Sequence, residues 1–491
     1  MLPWAYDKPR RPRWHRWRTR VWLFFHRHCR LITSFFPIVF LLYGLLKFCP
    51  NIGITFRRLG WQVAPLPLEQ VEAFRTRLWL ETQHFDPLNR RGIVFPLFDD
   101  IAFLGFSLIL ELRRLQVTLP VEIPHCGDLR LTFQRKVLEQ HENVNFLDVC
   151  DLAVKARTET RPLFCVDLAH CQDKFRSFDI KVLALVYSRF EEIMLLDADT
   201  LFFQSPMSLW DTTKYKSTGT LFFNDRISYD LSYLAKRTVF SDGVLQVNTS
   251  VGALHQFLAG FDVTPYRRFR TIDDGELRPQ VSKRFLGLEF GFQPSAFLLN
   301  SHVWRLRSGH QMDSSLLLWN KVRQPRATAI LASFISLDGL PTVPSYGDKE
   351  LYWLACELAE TAYAFSDFAV GAVGWDLVTI GHENDGVLCG DALQHYPVQL
   401  DPTKGPAADV EPLYMNSNNI LEWGRDSRRL YRTAARPAKH YPGSFTDRKL
   451  LQTCPFNVTT LDLAPREAML LRQRQQYYDM VVDWNGRYWF A

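Results

Sequence analysis

Short apolar runs alternating with helical periodicity begin at Gly92. There Gly92-Ile93-Val94-Phe95-Pro96-Leu97 has the length and composition of a buried strand. Apolar residues at helical spacing follow from about Ile101 to Leu115, and Leu119-Pro120-Val121-Glu122-Ile123 reads as a second strand, which completes a βαβ unit. A second unit has a helix from about Phe175 to Ser188, with Val182, Leu183, Leu185 and Val186 turned inward. Its strand, Glu192-Ile193-Met194-Leu195-Leu196, stops at Asp197. Alternating units of this kind predict a parallel sheet in an α/β layered body. Farther along, Ala296 to Leu299 reads as a strand, and Gly347-Asp348-Lys349-Glu350 opens a helix carrying Leu351, Tyr352 and Trp353. The polar stretch Asp273 to Arg284 reads as a loop or an insertion. The aromatic residues between Tyr477 and Trp489 read as core packing ahead of a ligand-lining surface.

Ahead of this body the pattern changes. Leu31 to Leu46, LITSFFPIVFLLYGLL, is uncharged and apolar except for Thr33, Ser34 and Gly44, and Lys47-Phe48-Cys49-Pro50 closes it. It predicts a membrane span over 31–49, slightly shorter than the roughly 20 residues that cross an average bilayer, which suits a thin membrane with Arg30 and Lys47 snorkelling. A buried core helix and a cleaved signal peptide are the competing readings. The long charged region before the run and the lack of a small-x-small site after it weigh against cleavage. Residues 50–88, with Pro65, Pro67 and an amphipathic stretch from Glu69 to Thr82, read as a stem leading to the body at 89–491.

Charge sharpens this picture. The formal net charge is +6, yet residues 1–30 hold Lys8 and eight arginines against Asp7 alone, so the tail carries +8 and the remainder about −2. Such a distribution points to a membrane surface and away from nucleic acid. With the arginines before the span, the positive-inside rule keeps the tail cytosolic and sends the body across, as a single-pass type II protein. Seven of the nine cysteines (126, 150, 165, 171, 356, 389 and 454) lie in the body, where an oxidising lumen permits disulfides and at least one must stay out of an intrachain pair. Asn248-Thr249-Ser250 and Asn457-Val458-Thr459 are glycosylation acceptor sequences that agree with a luminal body.

The chemistry concentrates at Asp197-Ala198-Asp199. In extended backbone, residues i and i+2 project to one side, so the two carboxylates can face one point across the small Ala198. That is a site for a hard divalent cation such as Mn²⁺ or Mg²⁺, able to neutralise a departing diphosphate. An acidic triplet alone is weak, since acidic pairs also cap helices and turns. Its place at the end of an apolar strand is more specific, because open α/β sheets bind ligands at the carboxyl ends of their strands.

The run KVLALVYSRFEEIMLLDADTLFFQSP, from Lys181, resembles the signature of the fungal Golgi α-mannosyltransferases of glycosyltransferase family 71. The similarity extends from GIVFPL at Gly92 to GDKELYW at 347–353, ALQHYP at 392–397 and LYMNSNNILEW at 413–423. The resemblance implies a GT-A-type, Rossmann-like nucleotide-sugar domain over 89–491, with GDP-mannose as donor and Mn²⁺ as cofactor. It also implies retaining transfer to a mannose-containing glycan or glycoprotein and residence in the Golgi membrane, where a complex with other transferases is compatible. Asp197 and Asp199 match the motif that binds metal and donor, and Lys181 matches a basic position near the nucleotide. His395, ahead of His382, is the expected third metal ligand. Asp348, Glu350 and Glu289 are the expected acidic catalytic residues, and Gln293 is expected on the donor side. Lys181 as a solvated helix end and Asp348 as a helix cap are the plainer alternatives, and the bulky Phe290 and Phe292 depart from the pattern beside Glu289. Two other functions stay open: a retaining transferase using a UDP-sugar, and a catalytically silent glycan-binding or scaffold membrane protein.

Overall fold

A computed structural model of the protein describes residues 66–228, 252–269, 287–376, 388–400, 410–417, 429–441 and 452–486, together with 231, 234, 238–241, 244–247, 283–285, 419, 421 and 444–447. The basic tail, the expected membrane span, the first part of the expected stem, Asn248, most of the polar stretch before Arg284, and His382 lie outside the described residues. Among the described residues, no helix is long and apolar enough to cross a membrane.

The expected stem is corrected from residue 66 onward. A helix over Leu68–Glu81 begins after Pro67 and belongs to the body, because Phe74 and Leu78, one turn apart, are buried in its core. Trp79 on the same helix stacks on Phe269 with ring centroids 5.1 Å apart.

In chain order the first strands are β1 Arg91–Val94, β2 Val121–His125, β3 Val144–Asp148, β4 Glu192–Leu196, β5 Thr200–Phe202 and β6 Thr220–Asn224. Two hairpins follow, β7 Thr238–Ser241 with β8 Val244–Val247 and β9 Arg284–Phe285 with β10 Leu288–Glu289. The remainder are β11 Met312–Asn320, β12 Gly371–Asp376, β13 Leu388–His395, β14 Tyr414–Asn416, β15 Tyr431–Thr433, β16 Ser444–Asp447, β17 Gln452–Pro455 and β18 Thr460–Asp462.

The three strands expected from the apolar runs are present and parallel, in a six-stranded sheet of order β3-β2-β1-β4-β11-β6. β11 runs antiparallel between β4 and β6. The succession of strands reverses between β1 and β4, so the carboxyl end of β4, where Asp197 follows, lies at a switch point of the sheet. Alternation sorts the side chains into two core layers. Ile193 and Leu195 of β4 join Leu317 and Trp319 of β11 on one face, and Met194 and Leu196 join Leu316 and Leu318 on the other.

The helix expected over 175–188 is present as Asp179–Tyr187, with Val182, Leu183, Leu185 and Val186 buried, and a separate helix, Leu168–Phe175, precedes it, opened by Asp167 accepting from the His170 N–H at 2.8 Å. Ala296 to Leu299 is also corrected, from strand to the helix Ala296–Asn300. A short apolar run has no period of its own, and Ser295 Oγ, accepting from Leu298 N at 3.0 Å, caps it as a helix.

A second, antiparallel sheet has the order β16-β17-β13-β12-β15-β18, with β14 pairing both β13 and β5. Its short strands carry no regular alternation, and none was anticipated from the sequence. Disulfides join Cys126 to Cys150, Cys165 to Cys171 and Cys389 to Cys454, and the last links β13 to β17. The seventh cysteine of the body, Cys356, is buried in the helix Leu351–Leu358. Because the Cys389–Cys454 bond closes a separation of 65 residues, replacing both cysteines by serine is expected to lower stability by about 2–4 kcal/mol, read from urea unfolding midpoints at constant slope.

Candidate functional site

The Asp197-Ala198-Asp199 turn lies where the two sheets meet. β4 enters it from the first sheet, and β5 leaves it paired with β14, in register Thr200 to Asn416. Each residue of the turn is anchored separately. Asp197 N donates to Ser315 O at 2.8 Å, Ala198 O accepts from Arg474 Nη2 at 3.1 Å, and Asp199 O accepts from Ser417 N at 3.3 Å. Arg474 comes from the long helix Pro465–Gly486, is fully buried and pairs with Glu111 at 2.8 Å. Glu111 Oε1 in turn accepts from the Phe202 N–H of β5 at 3.0 Å. A buried ion pair therefore braces the turn from the face opposite Lys181's helix.

Lys181 stands on the helix Asp179–Tyr187 and is buried. Its ammonium donates to Asp197 Oδ1 at 2.8 Å and to Ser314 O and Oγ at 3.0 and 3.1 Å, and it pairs with Asp348 Oδ2 at 3.1 Å. Burial works against its charge, but the two carboxylates outweigh that and raise its pKa above the ordinary lysine range. The solvated helix end is thus set aside. Asp348 follows Gly347, whose φ of 63° is a left-handed conformation suited to glycine. Both Asp348 oxygens are occupied, Oδ1 by the Ser314 hydroxyl at 3.0 Å and Oδ2 by the Tyr352 hydroxyl at 2.9 Å as well as by Lys181.

The Asp197 side chain retains 29% exposure, and its Oδ2 lies 3.4 Å from Asn416 Nδ2. Asn416 Oδ1 is buried and has no hydrogen-bond partner among the described residues. Burial, then the charge of Asp197, push the Asp199 carboxyl up to about 7, and no ion pair reaches it among the described residues. No three His, Cys, Asp or Glu side chains gather at metal-binding spacing among the described residues. The donor set at the turn is two carboxylates and an unsatisfied amide oxygen. That set suits a hard cation taking its other ligands from phosphate oxygens, since such ions are commonly held by one or two carboxylates plus the substrate.

The structure does not bring His395 to this acidic pair. Its Nε2 lies 2.6 Å from Asp313 Oδ2, and its ring stacks on Tyr414 with centroids 4.5 Å apart. Burial would raise the Asp313 pKa, but the hydrogen bond and charge of His395 reverse this and hold it well below the usual range, so Asp313 adds a fixed negative charge near Asp197 and Asp199.

Glu350 is buried and already occupied. Gln311 N donates to it at 2.8 Å and the Trp353 indole at 2.7 Å, and burial pushes its carboxyl up to about 7 against those bonds. Lys349 beside it pairs with Asp225. Glu289 is 69% exposed on the β9–β10 hairpin, 3.5 Å from Arg284, and makes no described contact with the cluster. Gln293 donates its backbone N–H to Glu360 at 2.7 Å. Glu289 therefore stands apart from the assembled cluster, and Glu350 supports its neighbours' backbone. Ser314, Asp313, Asn416, Glu111 and Arg474 were missed. Asn416 had a signal in LYMNSNNILEW, but a lone arginine in an amphipathic helix reads as solvated.

Replacing Lys181 by Met leaves two carboxylates facing each other with no buried cation, so a loss of about 3–5 kcal/mol is expected in chemical unfolding. Adding Asp348→Asn is expected to recover part of it; equal losses in the single and double variants would remove the pairing from the account.

Residues 90–396 match the mannosyltransferase family Mannosyl_trans3. Among curated relatives, MNN1 of Candida albicans is 26% identical over 312 residues, 60% of this chain and 34% of its own length. The Saccharomyces cerevisiae alpha-1,3-mannosyltransferase MNT2 is 22% identical over 323 residues, 65% of this chain and 51% of its own. The chain thus spans a third to a half of the length of these relatives. Among solved structures, the mannosyltransferase Ktr4p from S. cerevisiae in complex with GDP is 11% identical, covering 62% of this chain and 80% of that one at a TM-score of 0.24, an overlap too low for its architecture to be compared. The family match takes in most of the 491 residues, including β4, the acidic turn, Lys181, Asp348 and His395, and the chain belongs to this mannosyltransferase family.

Proposed function

We propose that the chain transfers mannose from GDP-mannose to a mannose-containing glycan, with retention of configuration and with Mn²⁺ at Asp197 and Asp199, in the Golgi lumen. The observation that carries the reading is the buried Lys181 joined to both Asp197 and Asp348 at the carboxyl end of β4. The mixed α/β body is read as GT-A-type, with the sugar nucleotide laid over that end of the sheet. Three disulfides and the exposed Asn457 acceptor site support an oxidising, glycosylating compartment.

When bound, a divalent cation supplies positive charge to the departing diphosphate. Asp197 and Asp199 would hold it, with Asn416 Oδ1 beside them and the Asp313 carboxylate, paired to His395, nearby. Lys181 fixes Asp197 so that one oxygen remains open to the site, and its own charge adds to the field that a leaving phosphate meets. For retention, a protein nucleophile would need a carboxylate free to attack. Asp348 has both oxygens engaged, Glu350 is committed to backbone and indole N–H groups, and Glu289 stands apart. This occupancy favours the front-face route, in which the leaving phosphate accepts the proton of the acceptor hydroxyl.

The test is turnover of a panel of GDP- and UDP-sugars with Mn²⁺. GDP-mannose is expected to be used, and Asp199→Ala to lower kcat at least about a hundredfold together with Mn²⁺ affinity. Undiminished turnover in Asp199→Ala would refute the metal role, and turnover of UDP-sugars alone would replace the donor. For the front-face route, Glu289→Gln and Glu350→Gln are expected to retain activity in protein that remains folded, whereas a trapped covalent glycosyl intermediate in mass spectrometry would overturn it.

A further inference from the structure

Two large aromatic rings stand exposed beside the cluster. Phe178 is 55% exposed and Tyr346 43%, and their centroids lie 6.2 Å apart at a tilt of 41°. The Tyr346 ring lies 5.3 Å from that of His310. Their attachment to the cluster is short on both sides. The Phe178 carbonyl accepts from the Lys181 N–H at 3.1 Å, one turn ahead of the ammonium that meets Asp348. Tyr346 precedes Asp348 by two residues, and the intervening Gly347 has its backbone under the Phe178 ring, where an added Cβ would lie 2.7 Å from Phe178 Cδ2. The packing of Phe178 over Gly347 is thus tight enough to exclude a methyl group.

Followed contact by contact, Asn416 and Asp199 lie at the Asp197 end of the cluster, where a cation and diphosphate belong. Phe178 and Tyr346 lie at the Asp348 end, beyond Lys181. Exposed rings at the rim of a charged site hold water against apolar surface, and a ligand with an apolar face that covers them releases it. A pyranose offers apolar C–H faces and polar hydroxyl edges, which matches an exposed pair of rings with a histidine at its edge, at the rim of a charged site.

We propose that Phe178 and Tyr346, with His310 at their edge, form the platform on which the acceptor saccharide stacks, placing its attacking hydroxyl at the Lys181–Asp348 end of the site. This deepens the glycosyl-transfer reading and rests on it for the identity of the reaction, but not for the binding event.

The test uses the full chain with Phe178→Ala, Tyr346→Ala and the conservative Phe178→Trp. Thermal unfolding establishes that each is folded. With GDP-mannose saturating and α-mannobiose as acceptor, the alanine variants are expected to raise the acceptor KM about five- to tenfold. GDP affinity with Mn²⁺ and donor hydrolysis without acceptor should stay within about twofold, and Phe178→Trp should remain near the parent. An unchanged acceptor KM in folded alanine variants overturns the proposal, as does an equal loss of GDP affinity, which would assign the rings to the nucleobase. Direct titration of α-mannobiose by calorimetry separates the two readings. If the parent protein binds it and the alanine variants do not, the platform stands even where GDP-mannose is not turned over; if the parent turns over GDP-mannose and the variants bind mannobiose equally well, the platform fails and the transfer reading stands.

Discussion

The site depends on one buried ammonium. Lys181 Nζ lies between a carboxylate at the end of a strand and another at the head of a distant helix, and a third segment, β11, lends it Ser314. Two carboxylates could not approach each other in a buried setting without a cation between them, and a buried lysine could not keep its proton without such partners. The mutual requirement fixes the helix Asp179–Tyr187, the acidic turn and the Gly347-Asp348 corner relative to one another. It also leaves the Asp197 side chain partly exposed, and among the described residues no ion pair reaches Asp199.

A second constraint works from the other face. The turn leaves one sheet and enters another, and its middle carbonyl is held by Arg474, whose charge is balanced by Glu111. Glu111 then reaches the first residues of the second sheet through Phe202 N. An acidic turn braced on two sides by buried ion pairs suits the proposed chemistry, which relies on charges already in place when a leaving group develops its own. Around this rigid centre the aromatic pair Phe178 and Tyr346 is the exposed part, attached to the same backbone corners that carry Lys181 and Asp348.

β1, β2 and β4 were legible because they are short, mostly apolar runs flanked by helices of regular period, whereas β3 Val144–Asp148, which carries Asn145 and Asp148, was not read. The acidic turn was legible for the same reason, since it ends such a strand. The second sheet was not, because strands such as Tyr431–Thr433 and Thr460–Asp462 are three residues long and carry no alternation that distinguishes them from loop.

Among single residues the division follows how each is made functional. Asp197 and Asp199 announce themselves by residue type at a strand end, and the sequence by itself pointed to them along with the parallel α/β layering; Lys181 and Asp348 came from the family resemblance, with a solvated helix end and a helix cap as the plainer readings. Which of them touch, and what else joins them, only the tertiary structure decided. It turned His395 toward Asp313, committed Glu350 to backbone N–H groups, set Glu289 on an exposed hairpin and brought Asn416 and Arg474 to the turn from far along the chain. The physical reason is that a strand's apolar period is a local property of neighbouring residues. The partner of a buried charge is chosen by whichever opposite charge or hydrogen-bond donor the packing brings within about 3 Å, and that choice depends on segments hundreds of residues away.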